Sequence, residues 1–178
     1  MIMAGKRIDS TLCYIEKDNC YLMLYRNKKK NDPAEGKLVG VGGKFEPGET
    51  AEQCLLREVK EETDLTLTSY HFCGIVHFVS DTWPDEEMYL FTADGFEGDS
   101  NFPGLDFNSA DEYSKCNPFE CDEGDLMWIP KSQVLSLNLW EGDKYFLSPL
   151  IAGKDNINMT CRYEGHTCVE VKNEEIYN

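Results

Sequence analysis

Long apolar runs are missing from this sequence. No stretch of the 178 residues approaches the roughly 20 consecutive apolar residues that a transmembrane helix needs. The opening residues, 1–16, contain no apolar run of about 7–15 residues, which is the length found in a secretory signal peptide. These two absences argue against membrane attachment and secretion, and they predict a cytoplasmic protein.

Histidine is scarce, and cysteine is not arranged for metal binding. There are three histidines, and none of the eight cysteines belongs to a C-x-x-C pair, so a zinc site is not expected. Scattered cysteines without a secretion signal are expected to be reduced thiols. The alternative is a single bridge between Cys161 and Cys168, which flank a predicted turn at residues 164–166.

Positive charge is also scarce. Lys and Arg total 17 against 33 Asp and Glu, so the net charge is −16 at neutral pH. A protein that coats DNA or RNA needs a basic surface, and this composition therefore argues against a nucleic-acid polymer as the partner. A small anionic ligand is compatible with the charge only if local cations hold it.

The remaining composition is that of a globular protein. Hydrophobic residues make up 41% of the chain and aromatic residues 12%, which is enough for a packed core. We expect one domain over residues 1–178 of the α+β class, with a sheet of mixed strand direction. The predicted strands are 8–16, 20–27, 65–80, 87–93 and 125–130, the predicted helices are 50–63, 131–137 and 142–152 (interrupted at Pro149), and strands 157–163 and 167–172 form a closing hairpin.

Residues 94–123 stand apart because they are rich in glycine, proline and acids and show little periodicity. We predict an insertion here, since a loop of this length in a compact domain is either functional or a surface excursion. A solvated surface insertion is one interpretation. A lid over a site or a contact between two copies is the other.

The predicted helix at 50–63 carries three acids that share one face. Glu58, Glu61 and Glu62 are spaced at i, i+3 and i+4, and Arg57 lies one turn before Glu61. Three neighbouring carboxylates repel one another, and oxygen ligands without Cys or His favour Mg²⁺, with Mn²⁺ as a substitute. The alternative is a solvated helix face without a metal.

The segment from Gly43 to Leu65 resembles the signature of the Nudix hydrolase family, G-x5-E-x7-R-E-U-x-E-E-x-G-U, where U is bulky and aliphatic. Gly43, Glu49 and the run REVKEE at residues 57–62 occupy its fixed positions. The last glycine is replaced by Asp64. Because Asp is among the few residues that adopt the left-handed conformation at a helix end, we expect this exchange to be tolerated.

The resemblance implies an α/β/α sandwich and a Mg²⁺-dependent hydrolase in which water attacks a phosphorus atom. By position, it implies that the metal is held by Glu58, Glu61, Glu62 and the Gly42 carbonyl, with Gly43, Glu49 and Arg57 supporting the carboxylates. Glu120 and Glu123 are equally placed to supply a further acid that joins the metal or acts as the base. Arg26 and Lys44 flank the site and are expected to contact phosphates, with solvated surface roles as the alternative.

Residues 127–130 and 139–146 are similar to the MutT-like branch of the family, which includes the 8-oxo-dGTP diphosphatases. This similarity implies that Trp140 stacks on a nucleobase and that Asp143 reads its purine edge; a core aromatic and a helix-terminal acid are the alternatives. The animal enzymes of this branch carry an Asn and a second Asp for the base where this chain has Val39 and Gly142, so the chain departs from their pattern at two positions that bear on selectivity for 8-oxo-guanine.

Taken together, the sequence predicts Mg²⁺-dependent hydrolysis of a nucleoside triphosphate, such as 8-oxo-dGTP, to the monophosphate and pyrophosphate. The alternatives are hydrolysis of ADP-ribose or of a dinucleoside polyphosphate, and a catalytically silent nucleotide-binding module. The expected partner is a small nucleotide, and the protein is expected to be a monomer or a homodimer.

Overall fold

A mixed β-sheet with helices on both faces forms the core of the molecule. The structure is a computed structural model, and it describes residues 7–105 and 119–174. The elements, in chain order, are β1 (Ile8–Lys17), β2 (Cys20–Tyr25), β3 (Leu38–Val39), β4 (Val41–Lys44), α1 (Ala51–Thr63), β5 (Thr66–Ser80), β6 (Glu86–Glu97), β7 (Asp125–Pro130), α2 (Lys131–Val134), α3 (Asp143–Ile151), β8 (Ile157–Glu164) and β9 (Thr167–Asn173).

The strand order confirms that the sheet has mixed direction. It runs β3-β2-β1-β6-β5-β8-β9, with β4 paired to β1 and β7 paired to β2. The pairs β1/β6 and β5/β8 are parallel, and the other pairs are antiparallel. Because β8 and β9 extend this sheet beyond β5, the closing hairpin packs on the same core as the rest of the chain.

The first hairpin forms where the sequence places it. Asp18 and Asn19 connect β1 to β2 with φ values of 51° and 60°. Two consecutive left-handed residues match the right-handed twist of the flanking strands, and Asp and Asn tolerate that conformation. The turn fixes the register in which Lys17 opposes Cys20 and Glu16 opposes Tyr21.

The sheet separates two hydrophobic clusters, which explains the α/β/α layering. On one face, Leu55 and Val59 of α1 are fully buried against the sheet. On the other face, Phe146 and Leu147 of α3 are fully buried, together with Val134 of α2. Each helix therefore buries an apolar stripe against the strands, and the predicted fold class is confirmed.

Two predicted element ends and one predicted helix interruption are wrong. Strand β6 continues to Glu97, which pairs with Thr66, so the insertion begins later than residue 94. Helix α2 ends at Val134 because the next amides bond three residues back, as tight turns do, with Leu137 N–H donating to the Val134 carbonyl. Pro149 does not interrupt α3, since only two residues of the helix follow it and few hydrogen bonds are affected.

The described residues include both ends of the predicted insertion and seven of the eight cysteines. Residues 106–118, the centre of the predicted insertion, lie outside the described residues, and the lid and dimer-contact roles stay predictions. The seven cysteines within the described ranges are free thiols, as expected, and Cys161 and Cys168 are not bridged. Within those ranges, no helix is both long enough and apolar enough to cross a bilayer.

Candidate active site

Helix α1 is positioned by its two ends. Thr50 accepts a hydrogen bond from the Gln53 backbone N–H, and the Gln53 side chain accepts one from the Thr50 N–H, so the helix begins with a capping box. At the other end, Asp64 has φ 60° and its N–H donates to the Lys60 carbonyl. The Asp that replaces the last glycine of the signature thus ends the helix in the left-handed conformation.

The glycines of β4 allow α1 to approach the sheet closely. A Cβ on Gly43 would lie 2.4 Å from the Glu58 carboxyl carbon, and one on Gly42 would lie 1.9 Å from the Thr11 carbonyl oxygen. A side chain at residue 43 would push α1 away from the strand, and one at residue 42 would push β1 away from β4. The Gly42 N–H donates to a Glu62 carboxylate oxygen at 2.9 Å, so the carboxylates of the helix lie directly against the strand.

Arg57 is the centre of an ionic network at this site. Its guanidinium donates to both carboxylate oxygens of Glu49, at 2.8 Å each, and to Glu58 at 2.7 Å. It also reaches Glu61 at 3.3 Å. The hydrogen bonds from Arg57 lower the pKa of Glu49 to about 2. Glu49 and Arg57 therefore lock each other in place and fix the orientation of Glu58.

Glu62 and Glu123 meet at the buried side of the network. Glu62 is only 6% exposed, and burial together with a hydrogen bond that its protonated carboxyl group donates to Glu123 raises its pKa to about 9. Two carboxyl groups that hydrogen-bond to each other share a proton. Glu120 is exposed, so of the two acids that the sequence could not separate, only Glu123 lies beside Glu62.

Cations surround Glu123 on its other side. Arg26 donates to Glu123 and to Asp32, and Lys29 donates to Glu123. These contacts lower the pKa of Glu123 even though the residue is half-buried. Arg26 is thus already paired with two acids, whereas Lys44 is exposed at the end of β4. The expected phosphate contacts of Arg26 and Lys44 stay predictions.

The carboxylates fit a hard divalent cation by their chemistry. Every donor in the group is an oxygen, and burial and mutual repulsion raise the pKa of both Glu58 and Glu62, so a cation would relieve the repulsion. Among the described residues, no three Asp, Glu, His or Cys side chains converge at metal-binding geometry. Glu58 is hydrogen-bonded to Arg57, and Glu62 to the Gly42 N–H. Metal ligation by Glu58, Glu61 and Glu62 stays a prediction.

A cavity of about 440 Å³ connects this network to an aromatic region. Gly42, Gly43, Lys44 and Arg26 line one end, which we call the carboxylate end because α1 lies behind it. The opposite end, which we call the aromatic end, is lined by Phe78, Trp83, Trp140, Asp143 and Tyr163. The predicted phosphate contacts and base-recognition residues therefore share one cavity, whereas the predicted acids Glu58, Glu61, Glu62 and Glu123 are not among its lining residues and lie behind β4.

Trp140 is packed on several sides at the aromatic end. Its ring lies 5.7 Å from that of Trp83 at 77°, and it is stacked parallel to His166 with centroids 6.0 Å apart. The Lys37 ammonium lies 5.0 Å from the Trp140 ring centroid. Trp140 is half-buried and lines the cavity, so it is both part of the packing and accessible to a ligand.

Asp143 is unusual because it is buried without a partner. It is 5% exposed, and no described residue makes a hydrogen bond or ion pair with its carboxyl group. Burial, aided by the nearby Glu86, raises its pKa to about 7, although Lys37 acts in the opposite direction. A polar group that is left unpaired inside a cavity costs free energy, and such groups commonly mark a binding site.

Sequence reasoning missed Trp83 and Tyr163. Trp83 lies in the turn between β5 and β6, and the turn is held because Asp81 accepts a hydrogen bond from the Gly165 N–H at 2.9 Å. Tyr163 lies on β8 of the closing hairpin. No local motif marks either residue, since Tyr163 reaches the cavity through the pairing of β5 with β8 and Trp83 through packing on Trp140 and His166.

Carboxylates beside a cavity that Arg26 and Lys44 help to line suit the hydrolysis of a phosphoanhydride, and the fold and site define the class as a pyrophosphohydrolase. The model of the NUDIX domain matches residues 6–149, and the chain belongs to this family. Nudix hydrolases generally use divalent metal ions.

Curated relatives and solved structures agree with this assignment. An oxidized purine nucleoside triphosphate hydrolase of Danio rerio is 29% identical over 83% of this chain and 84% of its own length. An ADP-ribose pyrophosphatase of Methanocaldococcus jannaschii is 49% identical, but over 29% of this chain and 28% of its own. The MutT protein of Bacillus halodurans superposes with a TM-score of 0.75 over 94% of this chain and 97% of its own, at 22% identity, which shows the shared fold.

Proposed function

We propose that this protein hydrolyses purine nucleoside triphosphates, with oxidised deoxynucleotides such as 8-oxo-dGTP as the leading substrates, to the monophosphate and pyrophosphate. The observation that carries the proposal is the cavity, which is lined by the β4 glycines next to the carboxylates of α1 and also by Trp140 and the unpaired Asp143. Its length joins a region suited to polyphosphate with one suited to a planar base. Such a reaction would remove damaged nucleotides from the nucleotide pool.

The carboxylate end supplies the groups for the reaction. Glu58, Glu61, Glu62 and the Gly42 carbonyl would hold Mg²⁺, which neutralises polyphosphate charge and acidifies a bound water when present. Arg57 and Glu49 keep Glu58 oriented through the bidentate pair. Glu123, beside Glu62, is placed to accept a proton from the attacking water or to share in metal binding, and Lys44 is free to contact phosphate.

The aromatic end supplies recognition of the base. Stacking on an indole is worth roughly 1–3 kcal/mol per base, and Trp140 offers such a surface within the cavity. Asp143 can accept hydrogen bonds from ring N–H and amino groups of a purine when ionised. The Danio rerio relative supports this choice of substrate because its similarity spans most of both chains.

Hydrolysis of ADP-ribose is the second candidate. The Methanocaldococcus jannaschii relative favours it, but the similarity covers less than a third of either chain. A purine stacked on Trp140 would serve this substrate as well, so stacking at the aromatic end is common to both candidates.

A substrate panel with product identification tests the proposal. Purified protein is assayed with Mg²⁺ on ordinary and oxidised purine triphosphates, pyrimidine triphosphates, ADP-ribose and dinucleoside polyphosphates. We expect an oxidised purine triphosphate to have the highest kcat/KM and to yield pyrophosphate. Hydrolysis in ¹⁸O-labelled water locates the attacked phosphorus. No turnover of any triphosphate, or a preference for ADP-ribose, would refute the proposal.

A further inference from the structure

The hydroxyl of Tyr163 fills the space beside Gly142 at the aromatic end. The Gly142 N–H donates to this hydroxyl at 2.7 Å. A Cβ built on Gly142 would lie 2.6 Å from the hydroxyl oxygen and 3.2 Å from the Cys161 sulfur. Gly142 therefore has no room for a side chain, and the polar group that occupies this corner of the cavity comes from β8.

The Tyr163 hydroxyl has a hydrogen that no described residue accepts. Its oxygen receives the Gly142 N–H, and no hydrogen bond from the hydroxyl to another described residue exists. Tyr163 is 5% exposed and lines the cavity. Burial raises the pKa of the phenol, so the group keeps its proton. The cavity thus contains a buried hydrogen-bond donor that has no acceptor among the described residues.

Asp143 lies beside this donor and also lacks a partner. Asp143 is one residue from Gly142, whose N–H holds the Tyr163 hydroxyl, and the two side chains interact electrostatically. Asp143 offers a carboxylate acceptor, and Tyr163 offers a neutral donor. Two buried carboxylates at this corner would repel each other, whereas a carboxylate with a phenol presents two different hydrogen-bonding groups without that cost.

Resting on the proposed function, we propose that Tyr163 is a specificity-determining residue that donates its hydrogen bond to an acceptor on the nucleobase edge, next to the group that Asp143 accepts from. The pair then selects bases that carry an acceptor beside an N–H donor, as the six-membered ring edge of a purine does. A base that lacks the acceptor leaves the buried hydroxyl unpaired, and unpaired buried groups give strong discrimination.

Tyr163→Phe tests the inference because it removes one oxygen and keeps the ring packing. We expect KM for the best purine triphosphate to rise roughly tenfold, with kcat changed less than about twofold. Inhibition by inorganic tripolyphosphate, which has no base, should keep the same inhibition constant. An unchanged KM, or an equal loss of tripolyphosphate affinity, would overturn the inference.

Tyr21→Phe is the matched control. Tyr21 is fully buried, and its hydroxyl has no hydrogen-bond partner, but it does not line the cavity. The control variant should bind and hydrolyse the nucleotide like the unmodified protein. If Tyr21→Phe raised KM as much as Tyr163→Phe does, the effect would be one of general packing and the inference would be wrong.

Base analogues identify the acceptor and separate this inference from the proposed function. Binding of purine nucleoside monophosphates, with and without the 6-oxygen or a ring nitrogen, is measured by calorimetry, so no turnover is needed. We expect that removing one of these acceptors from the base weakens binding to the unmodified protein and leaves binding to Tyr163→Phe unchanged. If the protein shows this pattern of binding but hydrolyses no nucleotide, only the proposed reaction is refuted. Hydrolysis with identical losses in both proteins would refute only the role of Tyr163, and no binding of any purine nucleotide would refute both.

Discussion

The two ends of the cavity differ in whether their polar groups already have partners. At the carboxylate end, Arg57 binds Glu49 and Glu58, and Glu123 binds Arg26 and Lys29. At the aromatic end, Asp143 and the Tyr163 hydroxyl hydrogen are buried with no described partner. One end is stabilised by its own ion pairs, and the other carries unpaired groups that only a ligand can satisfy.

The difference indicates that the carboxylate end serves the chemical step and the aromatic end serves selectivity. Ion pairs hold the reactive carboxylates in a fixed arrangement before substrate arrives, which is what a chemical step requires. Unpaired groups at the other end cost stability in the free protein and are compensated on binding, which is what selectivity requires. Changes at the carboxylate end should therefore alter kcat, and changes at the aromatic end should alter KM and stability.

The largest effect is expected at Glu62. Glu62→Gln removes a buried carboxylate from the group that faces Gly42, and we expect kcat to fall roughly 10²–10⁴-fold with little change in nucleotide affinity. Steady-state kinetics with Mg²⁺ measures both parameters. Glu52→Gln is the control, because Glu52 is exposed in the first turn of the same helix. A kcat that stays within threefold would assign the chemistry to other residues.

Asp143→Asn should stabilise the protein at high pH. Burial raises the pKa of Asp143 from 3.8 to about 7, so its contribution to stability is full below pH 3.8 and is lost as the pH rises through 7. At 1.36 kcal/mol per pKa unit the loss reaches up to about 4 kcal/mol. Asn does not ionise, so Asp143→Asn does not lose stability in this way as the pH rises.

Urea unfolding at pH 4, 6 and 8 measures the difference between Asp143→Asn and the unmodified protein. The variant should be more stable at pH 8, and its advantage should vanish near pH 4. Asp122→Asn, at an exposed turn, controls for the loss of one acid. An advantage that is equal at all three pH values would mean that ionisation of Asp143 is not its source.

A smaller effect is expected from the indole surface. Trp140→Ala should raise KM for purine triphosphates roughly tenfold or more and leave kcat nearly unchanged, since stacking is worth about 1–3 kcal/mol. Trp128→Phe is the matched control, because Trp128 lies outside the cavity and its indole N–H donates to the Ser100 carbonyl at 2.9 Å. Nucleotide binding should quench the fluorescence of Trp83 and Trp140 but not that of Trp128. Equal quenching of all three would contradict the assignment.

The smallest effect is expected at Lys29. Lys29 is half-exposed and pairs with Glu123, and exposed ion pairs contribute about 0.2–1 kcal/mol. Lys29→Met should change kcat by no more than about fivefold, and the change should shrink as salt concentration rises. Lys30→Met, next along an exposed turn, is the control. A loss as large as that of Glu62→Gln would show that Lys29 contacts the substrate.

Much of the carboxylate end could be predicted because it is local in sequence. Glu58, Glu61 and Glu62 share a face through helix geometry alone, Thr50 and Gln53 mark the start of the helix, and Asp64 marks its end. The turn at Asp18 and Asn19 was equally predictable from its residue types. These features depend on contacts between residues that are close along the chain.

The aromatic end could be predicted only in part because it is assembled from distant strands. Trp83 and Tyr163 each contact Trp140, and they lie near it because β5 pairs with β8 and the Gly165 N–H donates to Asp81, which no local pattern encodes. The choice between Glu120 and Glu123 likewise depended on which acid the fold brings to Glu62. The end of α2 at Val134 was missed because the following residues form tight turns instead of continuing the helix.

Direct measurement of metal binding tests the central claim, which is that the carboxylates of α1 hold a divalent cation. Binding of Mn²⁺ without nucleotide is followed by electron paramagnetic resonance for the unmodified protein, for Glu52→Gln and for a variant with both Glu58→Gln and Glu62→Gln. The account predicts that the first two bind Mn²⁺ alike and that the double variant binds at least ten times more weakly. Equal Mn²⁺ affinity in all three proteins would contradict it.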